Sequence, residues 1–155
     1  MSQPFDPESF EQVTVIDAPV ERVWVFLTDP ALMAGWMGEP GMGLEVETDW
    51  SLGSRIVIRG FHHGPFSNTG TVLDFDLGNY LAYTHLSSVS RLAAVEENHA
   101  TLEFRLRPAE GATRLEFRAS GFATESIFQH LRFYWAGTLE ILKQHIEAHR
   151  PVLAG

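Results

Sequence analysis

The stretch IDAPVERVWVFLTDPALMAGW, residues 16–36, decides the fold because it encodes two short helices in succession directly after a strand. The β-branched apolar residues 13–16 favour the strand, which ends in the turn before Pro19. Proline is accepted in the first turn of a helix, where its missing N–H would be unpaired anyway. Asp29 and Pro30 repeat this signal, and apolar side chains recur at helical spacing after each proline. We therefore predict a strand, a helix, a tight turn and a second helix.

After this stretch the apolar pattern changes from the helical period to the alternation that is typical of strands. The alternating segments lie at residues 44–50, 55–59, 73–75, 81–85, 102–106 and 115–119, with turn residues between them. Helical spacing returns over residues 126–149, with apolar side chains on one side. About 24 residues at 1.5 Å each give a helix roughly 36 Å long.

An amphipathic antiparallel sheet of six or seven strands must bury its apolar face, and the long terminal helix is available to cover it. We therefore predict an α+β fold in which the sheet curls around this helix. A twisted sheet does not close evenly on a single rod, and the two short helices after the first strand can close one end. The pattern thus predicts a cavity between the sheet and the helix.

The composition indicates one globular domain, since 155 residues, 45% of them hydrophobic, leave no room for a second core. We assign this domain to residues 12–150, with flexible tails at 1–11 and 151–155. No apolar run approaches the roughly 20 residues that span a bilayer, and the N-terminus lacks the basic start and apolar centre of a secretory signal. We expect a cytoplasmic protein without membrane insertion.

Charge and cysteine content exclude several classes of function. The net charge of -9 argues against a nucleic-acid partner, because affinity for phosphate backbones comes largely from Lys and Arg. The absence of cysteine excludes disulfide scaffolds, thiolate metal sites and cysteine nucleophiles. Acids and arginines alternate over residues 103–107 and 114–118, which favours ion pairs on a solvent-facing side of paired strands.

Several motifs occur in the order found in one superfamily. They are APVERVWVFLTDP with Trp36 behind it, DWSLGSR (49–55), TVLDFDLGNYLAYTH (71–85), GATRLEFRASGF (111–122) and YWAGTLEILKQHIE (134–147). Over residues 12–149 the chain resembles the START-related helix-grip superfamily (SRPBCC), and within it the homologues of the heat-shock protein 90 ATPase activator. The resemblance implies a β-α-α-β6-α fold with an elongated pocket for lipids, aromatic polyketides, plant hormones or other apolar molecules. Some relatives are cyclases or dehydratases.

Strand parity and helix spacing select the side chains that would line the pocket. The candidate ligand-binding residues are Trp36, Trp50, Ile58, Phe75, Tyr83, His85, Phe104, Phe117, Phe128, Leu131 and Trp135. The same parity places Ile56, Leu73 and Leu106 on the inner face. For the apolar members the competing interpretation is plain core packing, because large apolar side chains are mostly buried as core.

Tyr83 and His85 are the polar members of this set. A buried polar group without a partner costs about 1–3 kcal/mol, so each is expected to have a partner or a function. For His85 the alternatives are a hydrogen bond to backbone or water, a hydrogen bond to a ligand, and acid-base catalysis. His130 and Tyr134, one turn apart on the last helix, face either the cavity mouth or solvent. A register slip of one residue would replace Tyr83 and His85 on the inner face by their neighbours.

Two pairs of histidines are weak evidence for a metal site. His62 and His63 are adjacent in the loop FHHGPF, and adjacent residues rarely aim both rings at one ion. HIEAH, residues 145–149, has two histidines one helical turn apart but lacks the H-E-x-x-H order of zinc proteases. We therefore predict no metal and no cofactor. No catalytic residue is assigned either, since the chain has no G-x-S-x-G elbow, P-loop or G-x-G-x-x-G motif.

Three functions remain open from the sequence. The first is a carrier or sensor that binds a small hydrophobic or amphipathic aromatic or lipid-like molecule in the cavity. The second is a polyketide cyclase-like or dehydratase-like enzyme without a metal, in which Tyr83 or His85 moves protons. The third is a co-chaperone-like interaction module, although the co-chaperones of this family resemble longer proteins and a chaperone partner is not expected. A homodimer is also left open.

Overall fold

The computed structural model describes residues 9–148, which form one antiparallel sheet and three α-helices. The strands are β1 (Ser9–Ile16), β2 (Glu45–Glu47), β3 (Arg55–Phe61), β4 (Pro65–Asp76), β5 (Tyr80–Ser87), β6 (Ala100–Ala109) and β7 (Ala112–Ser120). The helices are α1 (Val20–Thr28), α2 (Pro30–Trp36) and α3 (Glu125–Ala148). The strand order is β1-β7-β6-β5-β4-β3-β2. The predicted fold, with six or seven strands, two short helices after the first strand and one long helix, is confirmed.

The first strand begins inside the segment predicted as a tail. β1 pairs with β7 from Ser9 opposite Ser120 to Ile16 opposite Thr113. Residues 9–11 therefore belong to the sheet, because hydrogen bonds to β7 hold them as strand. Residues 1–8 and the predicted tail at 151–155 lie outside the described residues.

Asp29 joins the two short helices. Its N–H donates to the carbonyl of Val25 (2.9 Å) where α1 ends. Its carboxylate accepts from the N–H groups of Ala31 (2.9 Å) and Leu32 (3.3 Å) where α2 begins. These are donors that the start of a helix leaves unpaired, so one side chain fixes the turn between α1 and α2.

β4 is irregular where it passes β5. The register changes between Val72 and Asp74, so the residue between them is an extra one that forms a bulge. Leu73 was predicted on the inner face, but the bulge turns it outward and leaves it 49% exposed, whereas Val72 is 1% exposed. After the bulge the alternation resumes, and Phe75 faces inward against Trp24.

Gly70 lets β4 and β5 approach closely just before this bulge. A Cβ atom at this position would lie 1.6 Å from the carbonyl oxygen of Thr84. The next residue, Thr71, donates its N–H to Thr84 Oγ1 (2.9 Å). A residue with a side chain therefore does not fit here without moving one of the two strands.

The long helix α3 covers the inner face and is fixed to the β1 edge of the sheet. Its buried residues are Leu131, Trp135, Thr138, Leu139, Leu142 and Ile146. Lys143 Nζ donates to the carbonyl of Val15 (2.9 Å), and Glu147 Oε2 accepts from the N–H of Asp17 (2.9 Å). Lys143 and Glu147 also pair with each other at 2.6 Å. The C-terminal half of α3 is thereby fastened along β1.

The outer face of the sheet carries paired charges. Glu116 lies 3.1 Å from Arg107 and 2.9 Å from Arg114, and Arg118 approaches Glu103 at 3.7 Å. Exposed pairs of this kind contribute at most about 1 kcal/mol each. Of the three helices in residues 9–148, none is both long and apolar enough to cross a membrane.

Candidate functional site

Aromatic rings fill the centre of the inner face. Trp135 of α3 stacks on Phe117 with 4.6 Å between ring centroids, and Phe104 lies 5.0 Å from Phe117 and 5.5 Å from Trp135. Trp36 follows at 6.2 Å from Trp135, and Leu131 is 3% exposed. These predicted ligand-lining residues form the core. The predicted cavity does not extend through this part, because the rings pack directly against one another.

A second aromatic cluster lies under the β2–β5 side of the sheet. Trp50 lies 5.6 Å from Phe75 and 5.9 Å from Tyr83 between ring centroids. The indole N–H of Trp50 donates to the carbonyl of Thr28 (2.7 Å), and this contact holds a residue with the unusual φ of 59°. Tyr83 is 2% exposed, and burial raises the pKa of its hydroxyl, which therefore stays protonated.

The two remaining apolar candidates adjoin the same core, since Ile58 is part of it and Phe10, a neighbour of Phe128, lies 6.0 Å from Phe117 between ring centroids. Phe128 packs with Phe10 and Phe122 near the start of α3, at centroid distances of 5.9 and 5.1 Å. Ile58 is 7% exposed on β3, opposite Asn68 of β4. The structure therefore places most of the predicted lining in one continuous core and does not arrange it around a single hollow.

His85 marks the place where the inner face becomes polar. It pairs with Ala100 of β6 and shares its side of β5 with Tyr83, and its side chain is partly buried. Burial, followed by the charges of His130 and His99, lowers the pKa of His85 to about 4. The imidazole of His85 is therefore neutral at pH 7.

His130 and Tyr134 approach this place from α3. Their rings are stacked with 6.3 Å between centroids, and His130 is exposed whereas Tyr134 is partly buried. The Tyr134 hydroxyl donates a short hydrogen bond to the carbonyl of Met37, the residue that ends α2. Burial raises the pKa of Tyr134 to about 12. The first half of α3 is thus tied to α2 beside the polar end of the inner face.

His99 lies in the segment before β6, directly before Ala100, the residue that pairs with His85. Its Nδ1 lies 2.8 Å from the carbonyl oxygen of Val95. Because a carbonyl can only accept, Nδ1 carries the proton, and the neutral ring keeps a lone pair on Nε2. His99 therefore offers an acceptor when neutral and a second donor once it is protonated.

Asn68 is a site residue that the sequence interpretation missed. It lies opposite Ser87 of β5 and Ile58 of β3, and its Oδ1 is buried without a hydrogen-bond partner among the described residues. The strand predicted here covered only residues 73–75, whereas β4 begins at Pro65 directly after the turn in FHHGPF, so Asn68 was not assigned to a strand. Asn68 follows Phe66 and precedes Gly70 at strand spacing, which was the available signal.

We call the group formed by these polar side chains the histidine end. Its members are Asn68, His85, His99, His130 and Tyr134. It offers the neutral imidazole of His85 and the unpaired amide oxygen of Asn68, which can hydrogen-bond a polar group of a small molecule. Within residues 9–148 no three side chains of the metal-ligating types are placed to hold one ion. The rings of His62 and His63 lie 4.4 Å apart, but no third such side chain joins them in this part of the chain.

Two surface hollows lie on the face of the sheet opposite α3. One, of about 300 Å³, is lined by residues of β1, β5, β6 and β7, and there the Tyr80 hydroxyl donates to Glu103 (2.6 Å). The other, of about 400 Å³, is lined by residues of β2 and β3 and the segment between them, and there Arg59 pairs with Glu47 (2.7 Å). These polar groups satisfy one another, so neither hollow matches the apolar site expected from the sequence.

Solved structures share this architecture. Protein CV1439 from Chromobacterium violaceum has a TM-score of 0.76 at 20% sequence identity, covering 91% of this chain and 99% of that one. ChR145 from Cytophaga hutchinsonii has a TM-score of 0.74 at 29% identity, covering 90% and 94%. DynU16, a protein in the dynemicin biosynthetic locus, has a TM-score of 0.72 at 18% identity, covering 94% of this chain and 49% of that one.

A search of curated proteins gave no match. The sequence model of one family, described as Activator of Hsp90 ATPase homolog 1-like protein, matches residues 17–147, which run from the turn before α1 almost to the end of α3. Since this match covers both short helices, six of the seven strands and nearly all of α3, the chain belongs to the Activator of Hsp90 ATPase homolog 1-like family.

Proposed function

We propose that the protein binds a small amphipathic aromatic molecule at the histidine end, as a carrier or sensor. The observation that carries this proposal is the buried Oδ1 of Asn68, which has no partner among the described residues and lies on the inner face near His85. An unpaired buried oxygen costs about 1–3 kcal/mol, and a hydrogen-bond donor from a bound molecule would remove that cost.

Burial along the inner face supports this location. The inward positions of β6 and β7, such as Phe104 and Leu115, are almost completely buried. Asn68 and His85 are only partly buried, and His130 above them is exposed. The polar side chains at this end are therefore less buried than the aromatic centre of the inner face, and we expect a ligand to enter here.

The energetics favour a ligand with both apolar and polar parts. Burying about 300 Å² of apolar ligand surface at about 25 cal/mol per Å² gives about 7 kcal/mol before the cost of association. That cost is about 4 kcal/mol or more, so apolar contact alone gives weak binding. Hydrogen bonds to Asn68 or His85 would add the remainder, and plain alkanes should bind more weakly than amphipathic aromatics.

The test uses N-phenyl-1-naphthylamine, a neutral fluorescent aromatic amine whose N–H can donate to Asn68 Oδ1. Asn68→Leu should weaken probe binding about tenfold, the equivalent of one lost hydrogen bond. The same variant should be as stable as the parent or more stable, because an unpaired buried amide is replaced by an apolar group of similar size. Calorimetry and urea unfolding measure the two effects.

Asn79→Leu is the matched control. Asn79 lies in the exposed turn between β4 and β5, at the far end of β4 from Asn68. It should leave probe affinity unchanged. Probe binding that is absent from the parent protein, or that survives Asn68→Leu at full strength, would refute the proposal.

A cyclase-like reaction is a second candidate, which the neutral, partly buried imidazole of His85 favours. A neutral imidazole can take a proton from a substrate within hydrogen-bond reach. The resemblance to a superfamily that includes polyketide cyclases makes polyketide-type thioesters reasonable test substrates. His85→Gln should abolish turnover; turnover that survives changes at both Tyr83 and His85 would exclude this candidate. The co-chaperone-like role stays a prediction from the family resemblance.

A further inference from the structure

We propose that the exposed face of α3 is the contact surface between two copies of this chain, which pair with their long helices antiparallel. The face carries one large apolar side chain, Phe133, beside a stretch with little side-chain volume at Ala136 and Gly137. These residues lie outside the histidine end, so the pairing does not depend on the ligand proposed above.

Phe133 is the most exposed of the large apolar side chains that the structure describes. It is 84% exposed, whereas Leu131 and Trp135, on the opposite side of the same helix, are 3% exposed. Ile141, about two turns farther along α3, is 44% exposed. Apolar residues that recur on one exposed face are typical of surfaces that bind another protein.

Gly137 lies in the middle of α3, where glycine makes a helix less stable than alanine does. No atom of a neighbouring element lies within 4 Å of the position that its Cβ would take. Packing within the described part of the chain therefore does not require a glycine here. A second helix that approaches closely would require it, because the missing side chain leaves room for a side chain of that helix.

The residues around Gly137 form a hole of the kind that receives a side chain in paired helices. Such a hole consists of four residues at positions i, i+3, i+4 and i+7 of one helix. The four that form it on α3 are all exposed, namely Gly137, Glu140, Ile141 and Gln144. At about 100° per residue, Phe133 projects from this same face. Phe133 of each copy therefore fits the hole of the other when the helices pack antiparallel about a two-fold axis beside Gly137.

Charge complementarity selects a second copy of the chain as the partner. Arg132 and Glu140 are both exposed, and neither forms an ion pair with a described residue. They lie about 12 Å apart along α3, too far to pair within one chain. A two-fold axis beside Ala136 brings Arg132 of each copy level with Glu140 of the other. The charges and Phe133 thus place the axis at the same point of α3 to within about one residue.

The contact is small, because it consists of one helix face. Pairing over about four turns of α3 covers less than the roughly 800 Å² per partner that is typical of stable complexes. We therefore expect a weak, reversible dimer with a dissociation constant on the order of 100 μM. The net charge of -9 on each copy adds repulsion between them, so the ionic strength is held constant in the test.

Sedimentation equilibrium of the parent protein between about 10 μM and about 1 mM should show a monomer–dimer equilibrium. Phe133→Ser should weaken the dimer about tenfold or more, because each dimer loses two buried rings. Its fold should be unchanged by circular dichroism, since Phe133 is exposed. Gly137→Leu should weaken the dimer to a similar extent and yet make the monomer more stable to urea. A role of Gly137 within the monomer would give the opposite change in stability.

Two charge variants test the antiparallel geometry. Glu140→Arg should weaken the dimer about fivefold although it reduces the net negative charge, because like charges then face each other at both ends of the contact. Arg132→Glu combined with Glu140→Arg should restore the affinity of the parent protein. The matched control is Glu45→Arg, which makes the same change of charge on β2, at the opposite border of the sheet from β1, and should not weaken the dimer.

Three outcomes would overturn the proposal. The first is a parent protein that stays monomeric up to about 1 mM, a concentration well above the expected dissociation constant. The second is a dimer that survives both Phe133→Ser and Glu140→Arg, since the copies would then pair through another surface. The third is a double charge variant that stays as weak as Glu140→Arg alone. Probe binding at the histidine end should be the same in all these variants, so the proposed function is tested separately.

Discussion

Acidification should destabilise the protein through His85. The pKa of His85 is lowered from 6.5 to about 4 by burial and by the neighbouring histidines. Between these two values the unfolded chain binds a proton that the folded chain excludes, so stability falls as pH decreases from about 6.5 towards 4. Linkage between proton binding and folding lowers the free energy of unfolding by about 2 kcal/mol at pH 5 relative to pH 8. This is an upper value, because the ring is partly exposed and water reduces the effect.

The assay is urea unfolding at pH 5, 6, 7 and 8, followed by tryptophan fluorescence, for the parent protein and His85→Gln. Other carboxylates and histidines titrate in both proteins, so the difference between the two curves isolates His85. The variant should lose less stability than the parent between pH 8 and pH 5. Parallel curves would refute the reasoning, and a parent that becomes relatively more stable at pH 5 would show that His85 is protonated in the folded state.

Four further substitutions test the fold around the site by urea unfolding. Gly70→Ala should lower the free energy of unfolding by about 3 kcal/mol or more, because its Cβ meets the Thr84 carbonyl. Gly35→Ala, with open space around it on α2, should raise the free energy of unfolding by up to about 1 kcal/mol. Equal effects of the two substitutions would refute the close approach of β4 and β5 at Gly70. Thr113→Val should cost about 1–3 kcal/mol, since the buried hydroxyl donates at 2.8 Å to a carbonyl just before α1; a neutral result would show that this carbonyl finds another donor. Asp29→Ala should cost about 1 kcal/mol through the lost cap of α2, and an unchanged midpoint would count against that role.

The elements of the fold could be predicted because their patterns are local. An aspartate with a proline close behind it predicts the start of each short helix, and Asp29 caps α2 with its carboxylate. Strand alternation puts Tyr83 and His85 on the inner side, where the register of β5 with β6 also places them. These features depend on neighbouring residues and on one period, which the sequence displays directly.

The errors occurred where a strand departs from its period. The bulge after Val72 places Leu73 on the outer face of the sheet, and the residue types there do not indicate an extra residue. Asn68 was missed because glycine and proline at the preceding turn resemble a longer loop. Strand registers in such segments depend on the partner strand, which a single sequence does not show.

The cavity could not be predicted from the pattern at all. An inward-facing aromatic side chain gives the same sequence pattern whether it lines a cavity or fills it. In the structure Phe104, Phe117 and Trp135 pack on one another. The accessible part of the inner face lies instead at the ends of β4 and β5, where polar side chains interrupt the apolar ones. The volume left between side chains depends on their three-dimensional packing.

The attachment of α3 to β1 bears on how copies of this protein can associate. A strand with unpaired backbone groups at the border of a sheet is a template for chains that add to it and build fibres. Here Lys143 and Glu147 already occupy polar groups along and just beyond β1. At the opposite border, β2 is three residues long and carries two glutamates, which repel an incoming copy. The contacts of α3 near the end of β1 and the short acidic β2 thus both act against strand-by-strand addition of further copies.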